Sequence, residues 1–257
     1  MSILVRSLGQ TGFKFCFDEH IVYIDPYLSD YVEEIEGPRA KRQVPVKIRP
    51  EAIDDADWVI ITHGHIDHCD PKSILPISHA SPKCKFIAPR EVCEQIKNFG
   101  INEERIIEAK ERWWAIGSGL ELIAMPAAHP TIQRDECGCL RCVGYIFRYQ
   151  GKRIYHSGDT VVDPELIEKI SASGGVDVAF LSVNEKNYYR DRLGIVGNMS
   201  VRDAFNLTEE IGAKALVPMH WDMFELNSVY PEEIELLYKK LTPRFELIFE
   251  LDSITTS

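Results

Sequence analysis

The sequence runs to 257 residues, 45% of them hydrophobic and 27% charged; these globular proportions exclude wholesale disorder, and the length suits one large domain or two small ones. Twenty-nine Lys and Arg against forty Asp and Glu leave a formal net charge of −11, a field that repels a phosphate backbone and excludes general nucleic-acid binding. A local site for a small anion stays open, because net charge governs steering and solubility rather than one pocket.

In chain order, the start is interrupted by Arg6 and Lys14 after a few apolar residues, unlike a signal peptide. Runs rich in Val, Ile, Phe and Tyr predict strands at 16–24, 57–62, 85–88, 120–126, 143–149, 153–156, 176–183, 215–220 and 245–251. Gln150-Gly151 between two of them is a hairpin signal. Helix signals fall in the gaps: Asp163-Pro164 as cap and first residue, Ser200 with Asp203 and a stop at Gly212, and Pro231 before an acidic first turn. This alternation predicts an α/β fold. Loops at 27–50, 129–142 and 184–199 each follow a predicted strand, where α/β folds usually carry their chemistry. No linker divides the chain, so 1–257 is read as a single domain. No apolar run reaches the roughly 18 residues of a membrane span, so no membrane association is expected. Seven irregularly spaced cysteines, one necessarily unpaired, fit reduced thiols in a cytoplasm better than a disulfide framework.

After the strand ending at Thr62 comes His63-Gly64-His65-Ile66-Asp67-His68, three imidazoles and a carboxylate within six positions. Gathering such groups in a partly buried turn is unfavourable unless something compensates, and a divalent cation is the usual compensation. If the chain turns from strand into helix here, His63 and His65 point one way from the loop, and Asp67 and His68 lie on the first helical turn. A solvated histidine cluster is the bland alternative, and the position behind a buried-type strand argues against it. Later in the chain His129, Asp159 and His220 each fall at or just beyond the end of a predicted strand.

The His63 to His68 segment resembles the H-x-H-x-D-H signature of the metallo-β-lactamase fold hydrolases, and the later residues follow that family's order. The resemblance implies a four-layer αββα sandwich with the metals at one edge between the sheets. It implies His63, His65 and His129 at one metal, Asp67, His68 and His220 at a second, and Asp159 bridging. Tyr23-Ile24-Asp25-Pro26 resembles the family's first motif, in which the Asp supports the metal loop. One or two divalent ions are implied, Mn²⁺ or Zn²⁺ with Fe²⁺ also compatible, since nitrogen and oxygen donors do not select among them. Leu8-Gly9-Gln10-Thr11-Gly12-Phe13, Tyr155-His156-Ser157-Gly158-Asp159-Thr160, Asn198-Met199 and Val217-Pro218-Met219-His220-Trp221-Asp222 are similar to the branch that contains the L-ascorbate-6-phosphate lactonases.

That branch implies a cytoplasmic lactonase acting on a phosphorylated sugar-acid lactone through a metal-activated hydroxide, with Asp67 and Asp159 as its catalytic carboxylates. The same centre could attack phosphorus, as a phosphodiesterase. A diiron oxidoreductase of this fold would need a carboxylate-richer site and an electron donor. Lys186, Arg190 and Arg192 put three cations in seven positions and are read as a clamp for an anionic substrate, against the bland reading of a solvated face. His156 is read as a hydrogen-bonding support behind the ligands. Cys137, Cys139 and Cys142 lie outside the family pattern; loop thiols without metal are expected, with a structural zinc or a redox pair as alternatives. Cys69 is read as packing, as is the Trp113-Trp114 pair. Homo-oligomerisation is left open.

Overall fold

A computed structural model describes residues 3–249 and 251. The chain divides into two compact units. Among the described residues the first takes the chain up to Ala109, together with Arg134–Arg141 and Leu251; the second takes Lys110–Gln133 and the residues from Cys142 on.

The first unit holds a six-stranded sheet of β1 (Leu4–Gly9), β2 (Gly12–Phe17), β3 (His20–Ile24), β4 (Trp58–Ile60), β5 (Lys85–Ala88) and β6 (Ile106–Glu108), ordered as numbered. The first three strands pair antiparallel and the last four parallel. Its helices are α1 (Tyr31–Glu36), α2 (Pro71–Ala80) and α3 (Arg90–Asn98). Val59, Ile61 and Phe86 bury against Ile74 and Ile77 of α2 and Val92 and Ile96 of α3, so the helices cover one face of the sheet. The helix α2 starts sharply because Asp70 accepts from the Lys72 amide and Pro71 takes the first helical position.

The second unit repeats the plan. Its seven strands are β7 (Trp114–Gly117), β8 (Leu120–Pro126), β9 (Val143–Tyr149), β10 (Lys152–His156), β11 (Val178–Ser182), β12 (Ala215–Met219) and β13 (Glu246–Leu247), again in sequential order. Strands β7 to β10 pair antiparallel and β10 to β13 parallel. The helices are α4 (Pro164–Ala172), α5 (Tyr188–Arg192), α6 (Val201–Glu210) and α7 (Pro231–Leu241). Asp163 caps α4, and Ser200 and Asp203 close a capping box on α6. Alternate residues of β11 and its extension, Ala179, Leu181 and Val183, pack with Leu166 and Ile170 of α4 and Leu207 of α6. Phe180 and Ser182 therefore face the other way.

Both units are α/β, as the alternation of elements predicts. The run 16–24 is two strands, not one: Asp18, with φ 50°, turns the chain between β2 and β3, and the apolar residues on both sides hide the break. The loop at 184–199 contains α5, and that at 27–50 contains α1. Asp67 and His68 sit in a turn closed by the amides of His68 and Cys69 on the His65 carbonyl (3.0 and 2.7 Å), not on the first turn of a helix. Pro71 disfavours a helical conformation at Asp70, which delays α2. No helix among the described residues is long and apolar enough to cross a membrane.

Candidate metal centre

In the first unit the ligand-type residues leave the C-terminal ends of the parallel strands. Asp25, just past β3, is fully buried and accepts from the Thr62 amide (2.8 Å), the Thr62 hydroxyl (2.6 Å) and His68 Nδ1 (2.8 Å). A carboxylate only accepts, so His68 carries its proton on Nδ1 and turns Nε2 toward Asp67 Oδ2, 3.8 Å away. Thr62 Oγ1 lies 3.0 Å from His63 Nδ1, and His63 Nε2 lies 3.0 Å from His65 Nδ1. The His63 ring centroid stands 4.6 Å from that of His65 and 4.1 Å from that of His68.

In the second unit three loops hold the rest. The turn after β8 is tied to the segment after β10 by the Ala128 amide on Thr160 Oγ1 and the Val161 amide on the Ala128 carbonyl, both at 2.8 Å. His129 and Asp159 meet there, with His129 Nε2 at 3.7 Å from Asp159 Oδ2. His220, one residue past β12, brings its Nε2 to 3.3 Å from the same oxygen. Ser182 at the end of β11 donates to Asp159 Oδ1 (3.3 Å) and to the Gly158 carbonyl (2.8 Å). The Gly158 amide donates to His156 Nδ1 (3.2 Å), so His156 steadies the loop that carries Asp159.

Both sets fit a divalent cation by the chemistry of their donors. Two nitrogen ligands about 2.0–2.1 Å from one ion at a tetrahedral angle stand roughly 3.3 Å apart. The His63 to His65 contact at 3.0 Å and the His220 to Asp159 contact at 3.3 Å have that spacing. These His and Asp side chains are among those that could hold a metal ion; Cys137, Cys139 and Cys142 form no such group among the described residues. Backbone strain gathers at the same places. Of six non-glycine residues with positive φ among those described, Asp25 (41°), His220 (61°) and Gln10 (55°) belong to this machinery or touch it, a concentration typical of functional sites.

The remaining predicted residues divide. Arg190 donates from Nε to the Leu226 carbonyl (3.1 Å) and from its two Nη atoms to the carbonyls of Glu185 (2.7 Å) and Ser228 (2.6 Å). It pins α5 to the segment before α7, which takes its donors away from the expected anion clamp. Arg190→Ala is therefore expected to destabilise the protein by about 1–2 kcal/mol, a fall in Tm of roughly 2–8 °C, with any change in KM indifferent to substrate phosphate. A KM rise confined to phosphorylated lactones would return Arg190 to anion binding. Lys186 and Arg192 are exposed. Cys69 is buried in the core beside α2, and burial raises its thiol pKa, with Asp25 adding to the effect. Cys139 lies against Glu108, Sγ to Oε1 3.3 Å. Trp113 packs against the second unit's core, with the Arg148 guanidinium over its ring at 4.3 Å.

Three supports went unassigned in the sequence: Thr62 behind His63, Ser182 behind Asp159, and the Gln10-Thr11 tip beside Asp67 and His68. Only Gln10-Thr11 left a signal, inside the Leu8 to Phe13 motif.

A family model described as the beta-lactamase superfamily domain matches residues 20–221. The chain belongs to this family, the beta-lactamase superfamily, and has the metallo-β-lactamase fold. A probable L-ascorbate-6-phosphate lactonase of Shigella boydii is 28% identical over 222 residues, covering 81% of this chain and 61% of that protein. The chain thus spans about three-fifths of the length of the curated relatives it matches. A metallo hydrolase from the archaeon Ignicoccus hospitalis superposes with a TM-score of 0.73 at 21% identity, covering 100% of this chain and 99% of that one. An isothiocyanate hydrolase from Delia radicum gut bacteria gives 0.75 at 18% identity over 100% and 99% of the two chains. At these identities the structures speak for the fold alone.

Proposed function

We propose that this chain is a metal-dependent hydrolase that opens a lactone ring, acting on a phosphorylated sugar-acid lactone such as L-ascorbate 6-phosphate. The ligand set carries the reading: four imidazole or carboxylate groups leave one sheet and three the other, and His63, Asp67, His68 and Asp159 each have a hydrogen-bonding side chain beside them. In the proposed centre His63, His65 and His129 hold one ion, Asp67, His68 and His220 a second, and Asp159 serves both. Bound there, Mn²⁺, Zn²⁺ or Fe²⁺ would supply a hydroxide at neutral pH and polarise the substrate carbonyl.

The chain's own residues set the conditions for that chemistry. Asp25 keeps the His68 proton on Nδ1, so Nε2 keeps its lone pair. Asp67 and Asp159 bring the negative charge that retains cations in an otherwise neutral imidazole cage, and either carboxylate can orient water or accept its proton. His156 holds the turn that presents Asp159. Lys186 and Arg192 are the cations proposed to meet the substrate's anionic end. The lactonase relatives support the substrate class, and the seven cysteines suit a cytoplasmic setting.

The test is turnover by the Mn²⁺-loaded and Zn²⁺-loaded protein of a panel of lactones, with and without phosphate, beside phosphodiesters. Hydrolysis of phosphorylated lactones is expected, abolished by a chelator and restored by metal. Activity on bis-aryl phosphates with none on any lactone would replace the reading with a phosphodiesterase.

A further inference from the structure

We infer that Gln10 is a positioning residue that holds Asp67 as an anionic ligand from the tip of the first hairpin. The inference rests on the proposal that Asp67 binds metal.

Gly9 pairs with Gly12, so Gln10 and Thr11 form a two-residue loop between β1 and β2. Polar side chains at such tips ordinarily reach into solvent. Gln10 is instead 2% exposed, and its amide donates from Nε2 to Asp67 Oδ2 at 2.5 Å, across 57 positions of sequence. Its backbone adopts φ 55°, at the first central position of a tight hairpin, where glycine would be relaxed and a long side chain is strained. A strained residue that also buries its side chain points to a demand on that side chain.

The rest of the tip presses on the same loop. Thr11 Oγ1 lies 3.2 Å from His68 Nδ1, and a Cβ at Gly12 would come within 3.1 Å of the Asp25 carbonyl. The hairpin tip thus touches Asp67, His68 and Asp25 together. An amide is the donor that suits Asp67. It fixes the carboxylate oxygen while leaving that oxygen's other lone pair for an ion. Lysine in its place would add a positive charge beside a cation site, and glutamate would oppose the carboxylate.

The test uses the full chain. Metal dissociation constants are measured for each bound equivalent by chelator competition with Zn²⁺, and the visible spectrum is recorded after Co²⁺ loading, for wild type, Gln10→Leu, Gln10→Ala and Asp67→Ala. Gln10→Leu keeps the volume and excludes water, so one equivalent should weaken by about 10–100-fold, with a changed Co²⁺ spectrum. Gln10→Ala admits a water that takes over the donation, so its loss should be smaller. The other equivalent and the metal-free Tm should stay near wild type. Unchanged constants in Gln10→Leu, or equal weakening of both equivalents with a lowered metal-free Tm, would overturn the positioning role. If Asp67→Ala itself keeps both equivalents at full affinity, the metal-centre reading fails first; if it loses one while Gln10→Leu loses none, only the role of Gln10 fails.

Discussion

Asp159→Ala is expected to lower metal content and kcat/KM more than the loss of any single histidine. Its Oδ2 atom stands 3.7 Å from His129 Nε2 and 3.3 Å from His220 Nε2, and the side chain is 4% exposed. One carboxylate oxygen therefore faces both imidazoles of the second unit, and it carries the only negative charge in that set. Without it, the His129 and His220 imidazoles lose the carboxylate beside them that would offset a cation's charge. Removing a residue behind a ligand typically weakens metal binding by about 10–100-fold, and removal of a charged ligand should exceed that range. Asp159→Asn separates charge from shape, since it keeps the volume and an acceptor for Ser182 Oγ. Metal content by mass spectrometry and kcat/KM on a phosphorylated lactone decide the matter. Retention of full metal content and rate by Asp159→Ala would refute the shared-ligand role.

The sequence made the ligand candidates legible because their chemistry is local. His63 to His68 is a dense polar run behind an apolar strand, a pattern that stands out without knowledge of tertiary contacts. Strands such as β8 and β9 were legible to the residue, since mostly buried apolar side chains, broken by Glu121 in one and by Gly144 and Arg148 in the other, run between turn signals. Edges were not. The strand β1 carries Arg6 and Ser7 and alternates between buried and exposed positions, and of the run predicted at 245–251 only Glu246–Leu247 forms a strand, β13, position 250 lying outside the described residues. The reach of Arg190 to carbonyls 36 and 38 positions away was hidden for another reason. A guanidinium in a charged loop reads the same whether it waits for an anion or binds the main chain. The burial of Gln10 was equally illegible, because nothing in a Gly-Gln-Thr-Gly turn says that its side chain folds inward.

Asp25→Asn should leave the fold largely in place and remove the metal equivalent that depends on His68. The argument turns on which amide atom faces which partner. The Thr62 amide donates to Asp25 Oδ1 at 2.8 Å, and an N–H needs an oxygen, so the asparagine carbonyl must take that position. Its NH₂ group then occupies the place of Oδ2, 2.8 Å from His68 Nδ1. Two donors cannot face each other at that distance, so His68 must move its proton to Nε2 to accept at Nδ1. The Thr62 hydroxyl, 2.6 Å from Oδ2, can rotate to accept from the same NH₂ and so raises no obstacle. A proton on Nε2 closes the nitrogen that points toward Asp67, and affinity for that equivalent should fall by at least the 10–100-fold typical of a lost supporting partner. Asp25→Ala differs in kind: the Thr62 and His68 donors are left buried without that acceptor, which costs about 1–3 kcal/mol for each unsatisfied donor and should appear as a clear drop in Tm. Long-range ¹H–¹⁵N correlation spectra of the metal-free proteins report the tautomer directly. Wild type should show His68 protonated at Nδ1 and Asp25→Asn at Nε2; an Nδ1-protonated His68 in the variant, or a metal affinity within about twofold of wild type, would remove Asp25 from the control of His68.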